Sequence, residues 1–193
     1  DHLVPESEAE PTVGKFTPNS ILGSRIFAIK EGFDELEAAV QPTMFGATQR
    51  QWLIDEIRAS DATWKVWASA LMVAQLSLDL REEAELPPLV RNHFYFKPDQ
   101  WDGFRSERRA ILEAVADIED MVVISGDLHG NYAAELRPDF DDPDTPATAV
   151  EFTVTGISSI SLQEQVDNFT VSDPRLEPLG LDAVTPRFDE VIA

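Results

Sequence analysis

Residues Met121–Tyr132 read MVVISGDLHGNY, an apolar run that stops abruptly at Gly-Asp-Leu-His-Gly-Asn. A run of that length and β-branched content is expected to form a buried strand. Its end then delivers a carboxylate and an imidazole onto one loop. In an extended segment, residues two apart point the same way. Asp127, His129 and Asn131 are therefore expected to converge, with Gly126 and Gly130 allowing close backbone approach. Carboxylate and imidazole together suit a hard or borderline metal ion poised for hydrolysis. A plainer reading fits the same residues: the Asp caps a following helix, and the His bonds a carbonyl. Asp-x-His supplies two ligands where a hydrolytic centre needs more, so spacing alone leaves both readings open.

The rest of the chain narrows the setting. With 193 residues and 43% apolar content, one domain with a real core is expected. The 36 acidic residues outnumber the 15 basic ones and give a formal charge of −21. Nucleic acid and anionic membranes are poor partners for such a surface. A site that takes a phosphate would need bound cations to reverse the local field. There is no cysteine, hence no disulfide framework and no thiolate metal site. No run approaches the ~20 apolar residues of a transmembrane helix, and no secretory signal pattern is visible. The chain opens at Asp1 in an acidic, Pro-containing stretch, as a processed chain or a piece of a longer one would.

Along the chain, residues 1–20 are polar, with three prolines and no apolar period, and are expected to be loop; His2 lies there. Ile21–Val40 carries a helical pattern with Phe33, Leu36 and Val40 on one stripe. Thr48 and Gln51 have capping-box spacing ahead of the apolar face Trp52, Leu53 and Ile57. Trp64–Ala70 is expected to be a strand continuing into Leu71–Leu76. Leu80–Asp99 is a long connection holding the aromatic patch His93–Phe96, with room for a short element. Ser106 is placed to cap a helix bearing Ile111, Leu112, Val115 and Ile118. Pro138–Pro146 (PDFDDPDTP) reads as a solvated acidic turn, because it lacks the central Gly and final Glu of an EF-hand loop. An alternating strand follows over Ala149–Thr155, and the pattern fades from Ser161 onward.

That order of elements is an α/β fold with sheet and helices layered, and it puts catalytic ligands at strand C-terminal ends. The divisions expected are 1–20, a domain over 21–160, and an irregular extension over 161–193. No Gly-x-Ser-x-Gly elbow, Walker A pattern or dinucleotide glycine pattern occurs.

Four segments, in order, resemble the PhoD-like alkaline phosphatases. MFGATQRQWLIDEIRASDATWKV (Met44–Val66) matches the family at Gly46, Gln49, Gln51-Trp52-Leu53, Ser60, Ala62 and Trp64-Lys65. DQWDGFRSERRAIL (Asp99–Leu112) resembles its Asp-x-Trp-Asp-Gly-Tyr turn, MVVISGDLH its strand ending in Gly-Asp-Val-His, and AVEFTVTGISS its next strand. Calcineurin-type phosphatases share GDLHGN, but their later Gly-Asp-x-x-Asp and Gly-Asn-His motifs do not follow Asn131. The resemblance implies a metallophosphoesterase-like fold that is incomplete in this chain alone, because the family's earlier motifs are absent. It implies hydrolysis of phosphomonoesters or phosphodiesters with iron and calcium, in an exported periplasmic or extracellular protein. Asp127 and His129 are then the catalytic and metal-binding residues, with Asn131, Trp101 and Asp102 behind them or beside the substrate. The remaining ligands would come from a missing N-terminal segment or a second polypeptide. Trp67-Ala68-Ser69-Ala70 stands where the family often has Asn-Gln, a departure that bears on substrate fit. The alternative is a noncatalytic acidic domain, binding calcium or a partner, on a phosphatase scaffold.

Overall fold

The β-branched and aromatic runs of this chain become short strands, and they sort into two sheets. The structure is a computed structural model that describes residues 27–84, 91–96, 98–162 and 164. The chain divides into two compact units that interleave along the sequence.

One unit holds β1 (Phe27–Ile29), α1 (Lys30–Val40), β3 (Ser77–Asp79) and β4 (His93–Phe96). Its sheet is antiparallel in the order β1-β4-β3, with Ala28 opposite Tyr95 and Phe94 opposite Leu78. Tyr95 is fully buried, donates from its hydroxyl to Asp34 at 2.7 Å, and meets the edge of Phe33. The helix expected over Ile21–Val40 therefore starts late, because Phe27–Ile29 pairs with β4 instead. Its buried stripe is Phe33 and Glu37, while Val40 is exposed. The connection over Leu80–Asp99 does contain an element, β4, which is the central strand of this sheet.

The other unit holds α2 (Gly46–Ala59), β2 (Lys65–Ala68), a 3-10 turn over Trp101–Phe104, α3 (Arg105–Ala114), β5 (Met121–Ser125), β6 (Tyr132–Leu136) and β7 (Ala149–Thr153). Its sheet runs β2-β5-β7-β6; the first three strands are parallel, and β6 is antiparallel at one edge. Ile54 and Ile57 of α2 and Ile111 and Leu112 of α3 are buried. Arg58 ties the C-terminal ends of both helices, donating to the Ala114 carbonyl at 2.5 Å and to Asp117 at 2.7 and 3.0 Å.

Local signals were overridden at three places here, twice by distant partners. The capping box of Thr48 and Gln51 does not form. The helix begins at Gly46, in the left-handed region at φ 71°, and its N-cap Phe45 has no side-chain cap. Instead the buried carboxylate of Glu107, on α3, accepts the Met44 and Phe45 amides at 2.6 and 3.0 Å. The Phe45 amide, at the N-cap, is one that a helix start leaves without an intrahelical partner, and the Met44 amide lies just ahead of it. Ser106 does not cap α3, which begins one residue earlier, directly after the 3-10 turn. The strand from Trp64 toward Leu76 stops at Ala68, because the Val73 and Ala74 amides are taken by the carboxylate of Glu151 at 2.8 and 2.6 Å. The divisions expected at residues 1–20 and beyond 164 lie outside the described residues, as does His2.

Candidate functional site

Because β2, β5 and β7 are parallel, their C-terminal ends share one edge of the sheet. Backbone bonds lace that edge together: Ser69 donates to the Ile124 carbonyl at 2.9 Å and Val154 to the Ser125 carbonyl at 3.0 Å. The Gly126–Asn131 loop leaves from the middle of it.

The loop is not extended. Asp127 and His129 both have left-handed backbones, at φ 67° and 64°, so period-two alternation does not align their side chains. Non-glycine residues adopt this region rarely, with Asn, Asp and His the best tolerated. Such strain persists where surrounding contacts fix it. Those contacts are visible: Leu128, between the two, is fully buried, and its amide donates to the Gly126 carbonyl at 2.8 Å. At Gly130 a Cβ would sit 2.6 Å from the Tyr132 ring, which would have to move aside, whereas at Gly126 the nearest heavy atom would be 3.8 Å away. The helix-capping reading of Asp127 fails, because the element that follows is the strand β6.

Each expected site residue has a definite place. Asp127 is exposed and accepts from the Gln100 side-chain amide at 2.9 Å. Gln100 is itself buried at the start of the 3-10 turn. His129 is half-buried on the same loop. Asn131 has a structural task, accepting the Thr155 amide at 3.1 Å and so tying the loop to the segment after β7. Trp101 is fully buried, with its ring edge-on to Trp67 and Phe45 and its indole N–H 3.4 Å from the Ser69 hydroxyl. Asp102 is buried and receives the Arg108 guanidinium at 2.8 Å. Trp101 and Asp102 thus brace the sheet edge from below.

The sequence reading missed the residues that hold this edge in place. Glu151, on β7, is buried and accepts the Ser125 hydroxyl at 2.6 Å in addition to the two amides. Ser125 in turn lies 2.8 Å from the Thr153 hydroxyl. Burial pushes the Glu151 carboxyl above the usual glutamate range, against the opposing pull of Ser125, Val73, Ala74 and Arg108. Arg108 completes the joint by donating to the Val73 carbonyl at 2.9 Å. The one available signal was an acidic residue in mid-strand, which must be either solvated or satisfied.

Two of the four aspartates in the acidic turn after β6 pair with arginines, and Asp142 instead accepts from the Asp144 amide and the Thr145 hydroxyl. Asp139 pairs with Arg109 and Asp141 with Arg105, while Arg137 bonds the Pro143 and Thr145 carbonyls. Among the described residues, no group of three His, Cys, Asp or Glu side chains gathers to hold a metal. Hydrolytic metal sites use at least three protein ligands, and calcium takes six to eight oxygens. Asp127 and His129 have the right chemistry but do not by themselves complete a site for iron or calcium.

A family model described as PhoD-like phosphatase matches residues 16–178. The chain belongs to the PhoD-like phosphatase family. Alkaline phosphatase D of Bacillus subtilis is 27% identical over 119 residues, which are 61% of this chain and 19% of that protein. A solved structure of PhoD matches with a TM-score of 0.52 and 25% identity over 65% of this chain and 22% of its own. The mixed α/β architecture is therefore that of a metallophosphoesterase-like fold. The chain spans about a fifth of the length of both PhoD relatives. No helix among the described residues is long and apolar enough to cross a membrane.

Proposed function

We propose that this PhoD-like chain is part of a phosphoric-ester hydrolase and supplies one wall of its active site. The observation that carries this reading is the Gly126–Asn131 loop, strained at Asp127 and His129 and set at the shared ends of three parallel strands. His129 is the residue that meets the reacting ester or its metal. Asp127, oriented by Gln100, is its acidic neighbour. Leu128 and Asn131 fix the loop from either side, so imidazole and carboxylate are presented without a search through loop conformations. The additional donors come from polypeptide beyond this chain, and the metals are the iron and calcium that the family resemblance implies. Cations at the site also offset the −21 charge that otherwise repels an anionic ester. The protein so described works in the periplasm or outside the cell.

The test is His129→Ala in the complete assembly. kcat/KM for aryl phosphate mono- and diesters should fall by ~10²-fold or more, with the far-UV spectrum and unfolding midpoint unchanged. Near wild-type turnover would remove His129 from the site, and the ratio of monoester to diester rates assigns the substrate class. The absence of a three-donor cluster among the described residues favours one other reading, a noncatalytic interaction domain on the phosphatase scaffold. Elemental analysis of the native material separates the two, since bound iron in an active assembly rules that reading out.

A further inference from the structure

The outward face of the β2-β5-β7-β6 sheet is largely apolar, with Glu135 of β6, paired with Arg137, as its one charged strand position. Val66 of β2 is 58% exposed, Ile124 of β5 is 46%, Val150 and Phe152 of β7 are 41 and 49%, and Val154 just after β7 is 60%. The register places them side by side. Val66, Val122, Val150 and Glu135 form one row; Ala68, Ile124, Phe152 and Ala133 form the next. Four strands at ~4.8 Å and five residues at ~3.3 Å make a flat face on the order of 300 Å². That falls in the range of a monomer's largest apolar patch, which is often functional. Val66 also lines a cavity of about 420 Å³ with Trp52, Leu53 and Trp67, so the apolar surface continues past the β2 edge.

Parallel strands occur almost only where both sheet faces are covered, whereas antiparallel sheets can leave one face to water. Three of these four strands are parallel. The face is therefore built to be covered. A second copy of the chain is a poor cover, since each copy brings a charge of −21. The PhoD relatives are about five times the length of the matched part, so sequence able to cover it exists within proteins of this family.

We propose that this face docks the polypeptide, joined to this chain or separate, that carries the remainder of a PhoD-like protein. The docked layer is apolar and seats on Val66, Val122, Ile124, Val150, Phe152 and Val154. This rests on the reading of the chain as one wall of a hydrolase, and it locates where the other wall attaches.

The experiment is native purification of the chain from the cell that makes it, as wild type and as the I124K/F152E double variant. Light scattering, intact mass and peptide sequencing identify the species. Wild type is expected in a species that also contains further PhoD-like sequence, with the double variant losing that association or exposing the joined segment to proteolysis. The milder F152T variant, which adds no charge, should weaken the association at least tenfold, and this keeps the test open if the double variant misfolds. A wild-type species that holds no further PhoD-like sequence, a homodimer that the variants dissolve, or an association indifferent to them each overturns the proposal. Failure of the hydrolase reading looks different: the association forms through this face, yet no phosphate ester is turned over. Conversely, His129-dependent hydrolysis by the isolated chain would keep the function and overturn the interface.

Discussion

The two faces of the β2-β5-β7-β6 sheet each hold residues that hydropathy alone would place on the other. Inward, β5 and β7 bury Ser125, Glu151 and Thr153 beside Met121 and Val123; outward, the same strands expose Ile124, Val150 and Phe152. The inward polar groups are all hydrogen-bonded, and they join the sheet to the 71–75 segment and, through Arg108, to the 3-10 turn. The outward apolar groups touch no such joint. Position inside a domain is thus decided by satisfied hydrogen bonds as much as by hydropathy, and the apolar face is held for a different contact.

The inward joint is where a single change costs most. Asp102→Ala leaves the Arg108 guanidinium buried with its carboxylate partner gone. Removing one member of a buried pair typically costs about 3–5 kcal/mol. Urea unfolding of the variant should show a loss of that size; a loss no larger than that of an exposed substitution would mean the Asp102–Arg108 pair does not anchor the turn.

Glu151→Gln should cost less, about 1–3 kcal/mol, because an amide brings a donor to a site where Val73, Ala74 and Ser125 already donate. It also reports on pH. Burial raises the native carboxyl above its unfolded value, so between the two the native state holds more protons. Stability from this group is present below the unfolded value and declines as pH rises toward the native one. Unfolding free energies from pH 4 to 8 should therefore fall with rising pH more steeply in wild type than in E151Q. Parallel slopes would show that the carboxyl titrates normally. Val123→Thr, which buries a hydroxyl on the same face, should cost a similar ~1–3 kcal/mol.

How far the sequence disclosed all this follows the range of the forces involved. Strand β5 and helix α3 were legible because their patterns are local, and the stop at Gly126 marked where a loop leaves the sheet edge. Four short matches in order disclosed the family. What stayed hidden depends on residues far apart in sequence. Glu107 starts α2 from 62 and 63 positions away, which no capping-box pattern contains. Glu151 ends the stretch after β2 from 77 and 78 positions away. The left-handed turns at Asp127 and His129 were equally out of reach, since they depend on Leu128 finding a buried pocket. Alternation along β7 was visible, but which side faces inward was not. Hydropathy would have chosen Val150 and Phe152, and hydrogen bonding to Glu151 chose the other.

The smallest expected effect is the sharpest test of that choice. Val150→Thr makes the same chemical change as Val123→Thr, in the adjacent strand of the same sheet, but on the outward face. In the isolated chain its hydroxyl reaches water, so the unfolding free energy should move by no more than about 0.5 kcal/mol. In the associated species the same hydroxyl is carried into an apolar contact without a partner, and dissociation should become easier. A large loss in the isolated chain would mean that some part of this chain already covers the face. Equal indifference in both settings would mean that nothing does. Only a small effect alone and a larger one in the assembly fits a face that is exposed here and buried in the complete protein.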